Sequence, residues 1–208
     1  MKAIVAGPDC AFGHNKEGNA DLLKEVAKKL PEESSYDVII IEKLKDENNR
    51  DISSTFIRAE LDSGNIEKAN RLLGSNYSIH GRVVQGNMIG GKILGFPTVN
   101  IIPPKNKHLP RFGVYASKVR IIKTGEEYQG LTNVGINPTV DNDKKKHCPR
   151  VETYIYDFDR NIYGSDIEIS FIKFIRPERK FSSLDDLKKQ ISSDKEAVKT
   201  YFRSIEYV

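Results

Sequence analysis

The stretch Val151-Glu152-Thr153-Tyr154-Ile155-Tyr156 has the β-branched and aromatic composition of a strand. If it is extended, Glu152 and the two tyrosines share one face, and the aliphatic residues share the other. Two further β-rich runs, residues 114–122 and 167–175, lie on either side of it along the chain, and turn residues separate the runs. Short strands without intervening helices predict a β-sandwich or a small barrel.

The first 75 residues have a different pattern, in which apolar residues recur with alternating strand and helix periods. We predict a strand at Lys2–Ala6, a helix at Asp21–Leu30, a buried strand at Asp37–Ile41, and two short helices that end at Gly64 and Gly74. Strand–helix–strand order predicts a parallel sheet, but two strands are too few to complete one. This half is therefore expected to be a partial α/β unit.

The change of pattern near Tyr77 predicts a domain boundary. We expect a partial α/β domain over residues 1–76 and a β domain over residues 77–208. The chain should end in a helix, because Ser183 and Asp186 form a capping box before an apolar face that includes Leu187.

Composition narrows the function classes. Of the 208 residues, 38% are hydrophobic and 30% are charged, which is typical of a globular protein, and the net charge of +4 suits a small anionic ligand as well as nucleic acid. Cys10 and Cys148 lack metal-like spacing, which argues against structural zinc and fits the reducing cytoplasm. Apolar runs such as Val38–Ile41 are far too short to span a bilayer. We expect a cytoplasmic protein without a membrane partner.

The densest signal for chemistry is the glycine-rich stretch Gly86–Asn100. Thr98 and Asn100 are two positions apart, so in an extended segment both side chains point the same way. Their hydroxyl and amide oxygens are hard ligands that suit Mg²⁺. Glycines let a backbone approach phosphate oxygens closely, although such a loop can equally be a plain hairpin. Neither a Walker loop nor a Rossmann fingerprint fits. The candidate nucleotide- and phosphate-binding residues are Gly86, Gly90, Gly91, Lys92, Gly95, Pro97, Thr98 and Asn100.

Glu152 is the second candidate, because a carboxylate among tyrosines could accept the proton of an attacking hydroxyl. The alternative is an exposed strand glutamate paired with a lysine. The third candidate is the turn-rich segment Asn133–Thr139, which is either an ordinary loop or a flap over a ligand.

Together these segments resemble the C-terminal two-thirds of the bacterial bifunctional riboflavin kinase/FAD synthetase family. The family's GFPTAN signature stands here as Gly95–Asn100, with Val99 in place of the usual alanine. Lys92 stands where an arginine is common. The other matching motifs follow in order: Leu109–Tyr115, Asn133–Thr139, Val151-Glu152, Tyr163-Gly164, Phe174–Glu178 and Lys180-Phe181.

The resemblance implies a closed six-stranded antiparallel barrel with a C-terminal helix, and transfer of the γ-phosphate of ATP to riboflavin, giving FMN and ADP. It implies ATP under the glycine loop, Mg²⁺ on Thr98 and Asn100, and Glu152 as the catalytic base. The flavin would lie towards the C-terminal helix. The residues implied for the flavin and its flap are Asn133, Gly135, Asn137, Arg176 and Leu187.

The N-terminal half resembles the family's Rossmann-like adenylyltransferase domain, since Ile52–Arg58 matches its ISSTxIR motif. No HxGH-type nucleotide motif occurs in this sequence, so we expect no FAD synthesis. Because its sheet is incomplete, we expect either self-association through this half or a partner that covers its apolar face. Two alternatives to the kinase remain: a non-catalytic flavin- or nucleotide-binding module, and a β-barrel that binds nucleic acid. The latter is disfavoured, because aromatic and basic residues do not interleave on one face.

Overall fold

A computed structural model describes residues 2–85, 98–136 and 149–206 of the chain. The chain forms two compact units, residues 1–53 and residues 54–208. Among the described residues, no helix is both long enough and apolar enough to cross a membrane.

The first unit is a small α/β arrangement. It contains strand β1 (Ala3–Ala6), the short strands β2 (Ala11–Phe12) and β3 (Gly18–Asn19), helix α1 (Ala20–Lys29) and strand β4 (Asp37–Ile40). The strands β1 and β4 pair in parallel, as the strand–helix–strand pattern predicted. Helix α1 begins where Asn19 caps it, with Oδ1 accepting a hydrogen bond from the backbone N–H of Leu22 at 2.9 Å.

The prediction that the strand at 37–41 is buried is wrong. Ile39 is 51% exposed and Ile41 is 57% exposed, and Val5, the register partner of Ile39, is 57% exposed. Half-buried residues alternate with exposed ones along both strands. The two-stranded sheet therefore presents an apolar face to solvent. Aliphatic residues occupy both faces of the sheet, and only one of the two faces is covered.

The second unit begins with two helices, α2 (Ser54–Ser63) and α3 (Ile66–Leu73). Their buried residues Leu61, Ile66 and Ala69 belong to the same apolar cluster as the interior of the β domain. Asn70 reinforces this packing, because its side chain donates to the carbonyl of Phe171 at 2.8 Å. The compact unit therefore starts after residue 53, whereas the sequence pattern predicted a boundary after residue 76. Amphipathic helices next to a barrel bury their apolar faces against it, even where the sequence pattern changes between the helices and the strands.

The β domain is a closed six-stranded barrel, which confirms the predicted architecture. Its strands are β5 (Ser78–Val84), β6 (Thr98–Ile101), β7 (Gly113–Ile121), β8 (Glu127–Ile136), β9 (Pro149–Ile155) and β10 (Asp166–Pro177). They are hydrogen-bonded in the order β10-β5-β6-β9-β8-β7, and β7 closes the barrel on β10. Every neighbouring pair is antiparallel.

The interior of the barrel is mostly aliphatic, but it also contains three buried hydroxyl groups that are linked by hydrogen bonds. Ser117 Oγ lies 2.7 Å from Thr132 Oγ1, which lies 2.9 Å from Thr153 Oγ1. All three residues are fully buried. Because each hydroxyl has a hydrogen-bond partner, the polar atoms are accommodated without leaving an unsatisfied group in the core.

Helix α4 (Leu184–Glu206) packs on the outside of the barrel. Val198 and Phe202 of the helix form a second apolar cluster with Val114, Ala116 and Leu131, which face outwards from β7 and β8. The predicted capping box is present in part, since the backbone N–H of Asp186 donates to Ser183 Oγ at 3.1 Å. Helix α4 thus covers one side of the outer barrel surface.

Candidate active site

The strand register places most of the described candidate residues in one row on the outer face of the barrel. Asn100 pairs with Glu152, Glu152 with Asn133, Asn133 with Val114, and Val114 with Arg176. Cross-strand partners point to the same side of a sheet, so these side chains are neighbours although they are distant in sequence. The row continues from strand to strand because every pair is in register at this level of the barrel.

At the centre of the row a hydroxyl, an amide and a carboxylate lie together. Thr98 Oγ1 donates a hydrogen bond to Glu152 Oε1 at 2.5 Å. Asn100 is only 4% exposed and shares the outer face with Thr98, being two positions further along β6. Tyr154 pairs with Thr98 and borders the group on the side of α4, where the ammonium of Lys195 lies 3.9 Å from its ring centroid.

Gly135 lies two positions beyond Asn133 on β8, on the same face, and its lack of a side chain admits a carboxylate. A Cβ atom at Gly135 would lie 1.9 Å from Glu178 Oε1. The amide of Asn133 reaches the same carboxylate, with Nδ2 at 3.4 Å from Glu178 Oε1. The predicted flap residues Asn133 and Gly135 therefore serve to seat Glu178 at the edge of the site.

Arg176 is held by an acidic residue of α4. Its Nε lies 3.0 Å from both carboxylate oxygens of Asp194, and its Nη2 lies 2.7 Å from Oδ2. Asp194 is 3% exposed and also accepts a hydrogen bond from Gln190 at 2.7 Å. The structure therefore shows Arg176 fastening α4 to β10. Leu187 is half-buried near the start of α4 and is not part of the row.

A cavity of about 290 Å³ opens beside Thr98. Phe158, Ile162 and Tyr163 contribute apolar walls, and Arg160 contributes a charged one. The guanidinium of Arg160 lies 5.1 Å from the ring centroid of Phe158, and its Nη2 lies 3.0 Å from Glu126 Oε2. This hydrogen bond to Glu126 raises the pKa of Arg160. The arginine thus places a positive charge at the wall of the cavity.

A second cavity, of about 540 Å³, lies between the end of β10 and the first turns of α4. Its lining is mainly basic, with Arg179, Lys180 and Lys189 opposed by Asp186. Phe181 supplies an aromatic surface, over which the guanidinium of Arg179 lies 4.6 Å from the ring centroid. An aromatic wall among cations suits a flat ring that carries hydrogen-bond acceptors.

Three residues of this region were not singled out from the sequence: Arg150, Arg160 and Glu178. Arg150 stands two positions before Glu152 on β9, so strand periodicity could have placed it on the same face. Glu178 was noted only as part of a motif, and Arg160 only lines a cavity once the chain is folded. Several predicted residues lie outside the described ranges: Gly86, Gly90, Gly91, Lys92, Gly95, Pro97 and Asn137.

The donor set near Glu152 fits a magnesium ion that is shared with a nucleotide. Within residues 2–85, 98–136 and 149–206, no three His, Cys, Asp or Glu side chains cluster as a metal site. Thr98 and Asn100 offer a hydroxyl and an amide oxygen instead. Mg²⁺ keeps several waters and binds substrate phosphates, so few protein oxygens are sufficient.

The family follows from comparison with known proteins. The riboflavin kinase family (Flavokinase) matches residues 73–202. The chain belongs to this family, which confirms the riboflavin kinase part of the family predicted from the sequence motifs.

Two curated relatives are bifunctional riboflavin kinase/FMN adenylyltransferases. The protein from Buchnera aphidicola subsp. Schizaphis graminum is 42% identical over 205 residues, covering 99% of this chain and 63% of the relative. The protein from Listeria monocytogenes is 36% identical over 206 residues, covering 99% of this chain and 62% of the relative. The chain thus spans just under two-thirds of the length of these relatives.

A solved structure from Streptococcus pneumoniae, described as a macrolide-efflux protein, has the same fold. Its TM-score is 0.78 at 34% identity, and the match covers 94% of this chain and 60% of that one.

We predict that Asp194→Ala destabilises the second unit by about 3–5 kcal/mol, because it leaves the half-buried cation of Arg176 unpaired. The matched control is Asp166→Ala, which removes an exposed partner of Arg82 and should cost less than about 1 kcal/mol. Urea unfolding followed by circular dichroism measures both. Equal losses in the two variants would contradict a fastening role for the Arg176–Asp194 pair.

Proposed function

We propose that this chain is a riboflavin kinase, which transfers the γ-phosphate of Mg-ATP to the 5′-hydroxyl of riboflavin and releases FMN and ADP. The observation that carries the proposal is the hydrogen bond between Thr98 and Glu152 at 2.5 Å. It joins a candidate metal ligand to a candidate base within one patch of the outer barrel face. Membership of the riboflavin kinase family supports the same reaction.

The proposed chemistry assigns the proton transfer to Glu152. Its carboxylate accepts the proton of the 5′-hydroxyl while the hydroxyl oxygen bonds to the γ-phosphorus of ATP. The bond from the γ-phosphorus to the bridging oxygen breaks, and ADP leaves with that oxygen. Phosphoryl transfer depends chiefly on alignment and charge neutralisation, so a positioned base, a cation and two substrate cavities are the parts it requires.

Thr98 and Asn100 would hold the Mg²⁺ that accompanies ATP. When bound, the ion neutralises phosphate charge and orients the phosphates. The hydrogen bond from Thr98 holds Glu152 beside these oxygens, so the base and the nucleotide phosphates are kept adjacent. Asn100 is nearly enclosed, which restricts the movement of its side chain.

We assign one of the two cavities to each substrate. The cavity beside Thr98 has Phe158, Ile162 and Tyr163 in its walls, and we assign it to the nucleoside of ATP because the candidate metal ligand Thr98 lines it. The cavity between β10 and α4 has Phe181 and several cations, and we assign it to the flavin ring. This keeps the predicted position of the flavin near α4. Arg176 then acts on the flavin side only by holding α4 in place.

The cytoplasm is the proposed location. Cys10 is a free thiol, which is consistent with a reducing compartment.

Product analysis tests the proposed reaction. The 208-residue polypeptide is incubated with riboflavin, excess ATP and Mg²⁺, and the flavins are separated by chromatography. We expect FMN and ADP in equal amounts and no FAD, since the sequence has no HxGH-type motif. Flavin binding without any FMN would instead identify a non-catalytic binding module, and sustained FAD formation would refute the expected absence of adenylyl transfer.

We predict that Glu152→Gln lowers kcat by about 10²- to 10⁴-fold, because the amide cannot accept the proton of the attacking hydroxyl. Binding of Mg-ATP should be nearly unchanged. Glu127→Gln is the matched control, since Glu127 is an exposed carboxylate on the neighbouring strand β8, and it should keep full activity. Steady-state kinetics provide the measurement. Full turnover by Glu152→Gln would exclude Glu152 as the base.

We further predict that Thr98→Ala and Asn100→Ala each raise the KM for Mg-ATP far more than the KM for riboflavin. Their oxygens are expected to meet the ion rather than the flavin. The measurement is a pair of substrate titrations for each variant, together with its melting temperature. A parallel loss of both affinities, with a lower melting temperature, would show that the two side chains are structural.

The first unit is proposed to self-associate through its exposed sheet face, which carries Val5, Ile39 and Ile41. Sedimentation velocity at rising concentration should show dimers, and Ile39→Glu should abolish them. Leu184→Glu, at a 54% exposed position on α4, is the control and should leave association intact. A monomer at every concentration tested would refute the proposal.

A further inference from the structure

Arg150 carries a buried donor that nothing in the proposed reaction has yet used. It lies on β9 two positions before Glu152, where its register partner is Gly135. Its Nη1 atom is buried and has no hydrogen-bond partner among the residues that the structure describes. A buried N–H group without an acceptor costs free energy, so such groups in folded proteins call for a specific explanation.

The position of Arg150 suits a contact with the phosphate acceptor and not with ATP. On one face of β9, Tyr154, Glu152 and Arg150 follow one another towards the start of the strand. Tyr154 pairs with Thr98, a candidate metal ligand, and Arg150 is the farthest of the three from Thr98. Residues two apart on a strand are separated by about 6.6 Å. Glu152 therefore stands between the nucleotide side and Arg150, and a group bound at Arg150 approaches the base from the side opposite to ATP.

The neighbouring carboxylate of Glu178 does not accept a hydrogen bond from Arg150 Nη1. Glu178 lies over Gly135, and the described partner of its Oε1 is the amide of Asn133 at 3.4 Å. Together, Asn133, Glu178 and Arg150 border a polar edge that offers donors from the amide and the guanidinium and acceptors from the carboxylate. A chain of hydroxyl groups, each of which both donates and accepts, matches such an edge.

We infer that Arg150 is a binding residue for the phosphate acceptor, and that its Nη1–H donates to a hydroxyl oxygen of the acceptor's polyol chain, the ribityl chain of riboflavin. The inference rests on the proposed function, because Glu152 must hold the terminal hydroxyl of the same chain. With the terminal hydroxyl at Glu152, the spacing along β9 brings an earlier hydroxyl to Arg150. The guanidinium thereby fixes the chain so that its last oxygen faces the γ-phosphate.

The test compares Arg150→Met with wild-type protein and with Arg82→Met, which removes an exposed arginine on β5. The KM for riboflavin should rise about 10- to 100-fold in Arg150→Met, the loss expected for one hydrogen bond from a charged group. The KM for Mg-ATP should change by less than about twofold, within the small range expected of a residue that does not touch the nucleotide. Arg82→Met should leave both constants unchanged.

Flavin fluorescence titration distinguishes the ribityl chain from the ring. Arg150→Met should weaken binding of riboflavin but not of lumiflavin, which has the ring without the hydroxyl chain. An unchanged affinity for riboflavin, or an equal loss for both flavins, would overturn the inference. So would a parallel rise of both KM values with a lowered melting temperature. If Arg150→Met does not fold, Arg150→Lys takes its place, with a smaller loss expected for riboflavin alone.

These titrations separate the inference from the proposed function. If wild-type protein forms no FMN, the kinase proposal fails, and the difference between riboflavin and lumiflavin binding still decides the role of Arg150. If FMN forms and Arg150→Met binds riboflavin normally, the kinase proposal stands and the inference fails.

Discussion

The antiparallel pairing of β9 with both β6 and β8 is the constraint on which the site depends. It places Asn100 and Asn133 on either side of Glu152 at one level of the outer face. A shift of one residue in either pairing would turn the alternate set of side chains outwards, because side-chain direction alternates along a strand. The closed barrel resists such a shift, since β9 has no free edge and its inward residues Val151, Thr153 and Ile155 are buried.

Helix α4 packs on the outside of the barrel and forms one border of the site. Its Val198 and Phe202 pack on outward-facing residues of the barrel, and Asp194 holds Arg176 at the end of β10. An apolar patch allows a helix several orientations, whereas a hydrogen-bonded ion pair selects one. The helix can therefore present a defined wall to the cavity that also contains Phe181. The resemblance implied a flavin contact for Arg176, while the structure gives that residue an intramolecular partner.

Much of the architecture was predictable from local pattern. Strand runs, the helices of both units and the helix cap at Ser183 follow from periodicity and capping chemistry, which act over a few residues. The closed barrel came from the resemblance to a family, because alternation alone left a sandwich and a barrel open. Glu152 was identifiable by its tyrosine-lined face, but its hydrogen bond with Thr98 joins two strands that are 54 residues apart.

The sequence by itself determined several of the strands and helices, which residues of those strands share a face, and the hydroxyl, amide and carboxylate groups at the centre of the site. Tertiary structure decided three further matters. It attached α2 and α3 to the barrel, because Leu61 of α2 and Ile66 of α3 are buried in the apolar cluster of the β domain. It seated the carboxylate of Glu178 over Gly135, where no Cβ obstructs it. It also left a buried N–H of Arg150 without a partner beside Glu152, since burial and hydrogen-bond satisfaction depend on neighbours that are remote in the chain.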